Sequence, residues 1–148
     1  MNRRTLLLGA ASLLGAPSIL RAAGHLVVAK DPTCGCCSAW VEHMRRAGFS
    51  VETTDLNPAA LEARKARLGV PPALVSCHTA EIEGYVVEGH VPAADVELLI
   101  ASRLQIHGLA VPGMPIGSPG MDIGDSAEPF ETLAFRKTGE IEVFSRWP

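Results

Sequence analysis

Apolar and polar positions along the chain alternate between strand-like and helix-like periods from residue 25 onward, after a leader with neither. The leader is an apolar stretch, Leu6 to Ala16, with Arg3 and Arg4 before it and Arg21, Ala22, Ala23 and Gly24 after it. His25-Leu26-Val27-Val28-Ala29-Lys30 then reads as a strand with an apolar middle, closed by Asp31-Pro32. Cys37, Trp40, Val41, Met44 and Ala47 follow one helical face, so a helix is predicted from the turn Thr33 to Gly35, ending at a left-handed cap on Gly48. Phe49 to Asp55 predicts a second short strand. Asn57-Pro58 joins an N-cap residue to a first-turn proline and predicts a helix through Leu61 and Leu68 to Gly69.

Beyond Val70-Pro71-Pro72, a strand is predicted from Ala73 to Cys77, a turn at Thr79-Ala80-Glu81 and a partner strand from Ile82 to Glu88. Pro92 opens a third helix carrying Val96, Leu99, Ile100 and Leu104 on one side. From Gly108 to Gly124 glycine and proline recur too often for any regular element, and a loop of this length in a compact domain is usually functional or disordered. Glu131 to Phe135 and Glu140 to Trp147, around Lys137-Thr138-Gly139, predict a second hairpin. This order predicts an α/β fold: a thioredoxin-like mixed sheet flanked by helices, in a single domain with a C-terminal β-hairpin. In such a fold a cis peptide bond is expected before Pro71 or Pro72.

Composition sharpens the picture at both ends. Residues 1 to 24 hold three arginines and no acid around the apolar stretch, the pattern of an export signal. Asn2-Arg3-Arg4-Thr5-Leu6-Leu7 resembles a twin-arginine signal, and an ordinary Sec signal fits the same residues. The apolar stretch is shorter than the roughly 20 residues a bilayer span needs, so cleavage after Ala23 or Gly24 is the expectation, not a retained anchor. Removing 24 of 148 residues leaves 124, a single domain over residues 25 to 148, expected in the periplasm. Without the leader's three arginines the charge balance is ten basic against sixteen acidic residues, with no basic run, which argues against nucleic acid as a partner.

All four cysteines, Cys34, Cys36, Cys37 and Cys77, follow the leader. In an oxidising compartment two structural disulfides are one reading, with three connectivities open. The placement of three cysteines at a helix N-terminus favours another, because unpaired amides there stabilise thiolate, the soft ligand that selects Cu(I), Zn(II) or iron–sulfur clusters. Cys34 and Cys37 form a CxxC pair that suits a redox disulfide equally well. Cys36 tips the balance, since a third thiol offers unwanted pairings to an exchange enzyme but a further donor to a metal. In a thioredoxin-like sheet Cys77 and His78 run past the start of the first helix and are candidate donors, against the reading of Cys77 as a small buried hydrophobe. His90, just before the third helix, is another. Met114 and Met121 lie in the glycine- and proline-rich loop, where no periodic core face claims them; they are either thioether ligands or gap-fillers. His43 reads as a solvated surface residue, and His25 and His107 as weaker candidates.

Pro32-Thr33-Cys34-Gly35-Cys36-Cys37, Ser76-Cys77-His78-Thr79-Ala80, Glu88-Gly89-His90-Val91-Pro92 and Gly113-Met114-Pro115-Ile116-Gly117-Ser118-Pro119-Gly120-Met121 resemble, in this order, the exported CopG-like copper-resistance family. The resemblance covers nearly all of residues 25 to 148. It implies a thioredoxin-like fold, copper held in a multinuclear thiolate cluster and a redox role in copper handling, and it adds weight to His90, Met114 and Met121. Four thiols, two imidazoles and two thioethers exceed what one ion can use, so more than one Cu(I) per chain is expected, with other periplasmic copper-handling proteins as partners. Two other readings stay open: a thiol–disulfide oxidoreductase in which Cys34 attacks and Cys37 resolves, and a structural zinc site.

Overall fold

A computed structural model describes residues 23 to 121 and 127 to 148. All but the last two residues of the predicted export signal lie outside the described residues. The first strand, β1 (His25–Lys30), leads through a tight turn into helix α1 (Gly35–Arg46), and β2 (Ser50–Asp55) returns parallel to β1. Helix α2 (Pro58–Arg67) begins as its sequence requires, with the Asn57 side chain accepting from the Ala60 amide and Pro58 in the first turn. Then come β3 (Thr79–Ile82), β4 (Tyr85–Gly89), α3 (Ala93–Ser102), β5 (Gly108–Val111), β6 (Phe130–Phe135) and β7 (Ile141–Trp147).

The described strands form one mixed sheet in the order β2-β1-β3-β4-β5-β6-β7, with β1/β2 and β4/β5 parallel and the other neighbours antiparallel. Its two faces bury different sets. Val87 and Leu109 join Leu26, Val28, Trp40, Met44, Val96 and Leu99 in the larger core, while Val86 and Ala110 pack with Val70, Leu74 and Phe135 on the other side. The C-terminal hairpin is tied to α3 by the buried Asp95, whose Oδ2 accepts from Thr132 Oγ1, Ser145 Oγ and Trp147 Nε1. No described helix is long and apolar enough to cross a membrane.

Five expectations are corrected. Residues 73 to 77 are not a strand: Pro72–Leu74 is a 3-10 turn, and pairing starts only at Thr79. The first hairpin turns at Glu83-Gly84, both at positive φ (47° and 86°), because a two-residue turn of that hand matches the twist of the strands. Gly108–Val111 is a buried strand, held between β4 and β6, so the irregular loop begins only at Pro112. No described peptide bond is cis; Pro71 is extended (φ −61°, ψ 136°), and Pro72 opens the 3-10 turn with no reversal that needs a cis bond. Leu104 also falls beyond α3, which stops at the left-handed Arg103.

Candidate metal centre

Strand pairing brings the donors together. Ala29 near the end of β1 faces Thr79 at the start of β3, and Thr79 faces Glu88 near the end of β4. The turn after β1, the segment before β3 and the segment after β4 therefore share one end of the sheet. These three segments carry Cys34, Cys36 and Cys37; Cys77 and His78; and His90.

The first turn is set by Asp31, whose Oδ1 accepts from the Thr33 amide (2.7 Å) and hydroxyl (2.6 Å). Cys34 follows as N-cap of α1, its sulfur accepting from the Cys37 amide at 3.3 Å where serine or aspartate would ordinarily sit. Cys34 and Cys37 are joined by a disulfide, with Cα atoms 5.3 Å apart, and Cys36 and Cys77 are free. Cys36 Sγ lies 3.4 Å from Cys34 Sγ and 3.9 Å from Cys77 Sγ. Cys77 Sγ in turn approaches His90 Nε2 to 2.9 Å and His78 Nδ1 to 3.5 Å.

Two donor groups result, Cys34/Cys36/Cys37/Cys77 and Cys77/His78/His90, each compact enough to hold a metal ion and sharing Cys77. The donor chemistry fits a soft ion. His90 Nδ1 lies 2.8 Å from the Pro119 carbonyl, which only accepts, so Nδ1 carries the proton and Nε2 turns its lone pair towards Cys77. A backbone carbonyl that orients an imidazole in this way is the usual support of a histidine ligand. The His78 ring, fully buried and 4.4 Å from the Trp40 ring, has an Nε2 with no hydrogen-bond partner. Burial holds both histidines below the usual value of about 6.5, His78 much further than His90 and with help from the His90 charge, so both are neutral donors at neutral pH. Burial, followed by the neighbouring Cys36, pushes the Cys77 thiol up to about 12, so a metal must displace its proton.

The methionine loop is laced onto the same end. The Ser76 hydroxyl donates to the Gly113 carbonyl, Pro119 accepts from His90, and Gly120 lies against the start of α1, where a Cβ would stand 2.7 Å from both Cys36 O and Trp40 N. Met121 is buried and Met114 is half exposed, each one residue from such a contact. A groove of about 530 Å3, lined by Pro58, Leu61, Pro72, Val75 and Cys77 among others, opens this end to solvent.

Two solved structures resemble this chain closely. They are titled "Copper resistance protein copG", Form 2 and Form 1, at 43% and 42% sequence identity and TM-scores of 0.78 and 0.77. Each match covers 84% of this chain, and 98% and 97% of the respective structures. The chain belongs to the CopG-like copper-resistance family. Residues 74 to 121 of this CopG-like protein also match the family model described as "Protein of unknown function, DUF411", and among curated proteins none matches.

The other histidines of the CopG-like chain lie apart from these groups. His25 contacts Ser50 and Glu52 on the surface, and His107 bonds the Leu68 carbonyl. His43 is not simply solvated: it is half-buried, and its Nε2 accepts from the Ala93 amide at the start of α3. Sequence reasoning missed Lys65 and Glu88, a buried ion pair behind the Cys77 segment. One signal was present: Lys65 follows Leu61 by four residues, on the buried face of α2.

Proposed function

We propose that this CopG-like protein is exported to the periplasm and there holds Cu(I), more than one ion per chain, in a site built from Cys34, Cys36, Cys37, Cys77, His78 and His90 with thioethers from Met114 and Met121. Its role is copper resistance, by buffering Cu(I) or by interconverting Cu(I) and Cu(II). The observation that carries this reading is the pair of donor groups joined through Cys77. A thiolate can bridge two ions, whereas separate sites would not need a common sulfur. Sulfur and imidazole donors without carboxylate favour Cu(I) over Mg or Ca. A twin-arginine leader would export the protein already folded, and the similarity to two solved structures of copper resistance proteins supports the link to copper resistance.

Full loading requires the Cys34–Cys37 disulfide to be reduced, because a disulfide sulfur is not a thiolate donor. The same disulfide favours a second reading, a thiol–disulfide oxidoreductase using Cys34 and Cys37. The Cys34/Cys36/Cys37 triple serine variant separates the two. On the copper reading it keeps no multi-ion binding in an anaerobic Cu(I) titration, with affinity weakened by at least about 100-fold. Unchanged tight binding in this variant defeats the copper site. Disulfide reductase activity that ignores copper in the unmodified chain, and that persists in the Met114→Leu and Met121→Leu variants, favours the oxidoreductase.

A further inference from the structure

We propose that Lys65 and Glu88 are positioning residues of the copper site, a buried ion pair that clamps the Ser76 peptide and so sets where the Cys77 sulfur and the His78 ring stand. The proposal rests on the copper-binding reading. Residues 75 to 78 belong to no strand or helix; the Gly89 amide of β4 donates to the His78 carbonyl at 3.0 Å, but Ser76, which leads into Cys77, lies before the first β3/β4 pair. At Ser76 the clamp takes the ladder's place. The Ser76 amide donates to Glu88 Oε1 at 2.7 Å, Lys65 Nζ donates to the Ser76 carbonyl at 3.0 Å, and Lys65 and Glu88 Oε1 bond each other.

Both charges are almost fully out of water, Lys65 at 4% and Glu88 at 0% exposure. Stability alone is a poor reason to keep such a pair, since well-packed apolar residues of similar volume commonly do as well or better. What apolar residues cannot do is grip both polar groups of one peptide. Ser76 is also pressed on its other side: at Gly89, with φ of +70°, a Cβ would come within 2.5 Å of the Ser76 Cβ and Oγ. The peptide is therefore fixed by hydrogen bonds from α2 and β4 and by close packing against Gly89. Cys77 is the next residue, and its distances of 2.9 Å to His90 and 3.9 Å to Cys36 depend on that fixed start.

The test uses the full chain, reduced and anaerobic, with Cu(I) competed against a chromogenic Cu(I) chelator and thermal melting measured on the same samples. In Lys65→Met/Glu88→Leu no unpaired charge is left in the core, so folding is expected to persist while Cu(I) affinity falls about 10- to 100-fold, the usual effect of losing the groups that orient metal ligands. Lys65→Met/Glu88→Gln keeps an oxygen for the Ser76 amide and is expected to recover part of that loss, ending about 3- to 10-fold below the unmodified chain. Unmodified affinity in the Leu variant overturns the proposal and leaves the pair as packing. If that variant does not fold, the Gln variant carries the test, and unmodified affinity there overturns it equally. Absence of Cu(I) binding by the unmodified chain is a different failure: it removes the copper reading itself, and the positioning role with it.

Discussion

Cys77→Ser is expected to remove more copper than one thiol accounts for. Cys77 alone belongs to both donor groups, with Cys36 on one side at 3.9 Å and His90 on the other at 2.9 Å. A serine hydroxyl in its place is a hard donor that Cu(I) does not favour, and the two histidines are left without a sulfur partner. The number of tightly bound Cu(I) ions should fall by at least two, with affinity for any remaining ion weakened by about 100-fold or more, whereas Met114→Leu should remove one ion at most. Measuring bound Cu(I) after gel filtration checks this, and a loss of one ion or none from Cys77→Ser would show that the two groups do not act as one centre.

Gly120→Ala is the second large effect, and it acts through the loop. Gly120 has φ of +88°, and a Cβ there would meet Cys36 O and Trp40 N at 2.7 Å, atoms of the helix backbone that cannot swing aside as a side chain would. Left-handed strain of about 1–3 kcal/mol and overpacking of similar size both apply. The loop must lift from α1, taking the Pro119 carbonyl from His90 and Met121 from its buried place. A loss of about 2–5 kcal/mol in chemical denaturation, or an unchanged melt with Cu(I) affinity weakened about 10- to 100-fold, is the expected result. An alanine variant equal to the unmodified chain in both measurements would mean that the loop is not seated on the cluster.

The apolar spacing of α1 was enough to place the cysteines, because Cys37, Trp40, Val41 and Met44 are the residues that face the core. Strand β1 and helix α2 were legible for equally local reasons: an apolar run closed by Asp31-Pro32, and the Asn57-Pro58 start. Strand β5 was not. Gly108 and the prolines that follow look like loop, yet Leu109, Ala110 and Val111 lie between two strands, and at Gly108 even a Cβ would stand 2.1 Å from the Val86 carbonyl oxygen. Long-range pairing outweighed the local signal there. It also explains the candidate site, since the types of Cys77, His78 and His90 were visible but the β1/β3/β4 register is what puts Cys77 beside both Cys36 and His90. The Lys65–Glu88 pair was hidden because two charges 23 positions apart on a helix and a strand show no motif of their own.

The most direct measurement is the number of Cu(I) ions bound tightly by the reduced, unmodified chain under anaerobic conditions, with free thiols counted before and after loading. More than one ion per chain is expected, with the disappearance of all four thiols on loading. Saturation at zero ions, or loading that leaves Cys36 and Cys77 as reactive as before, would contradict it.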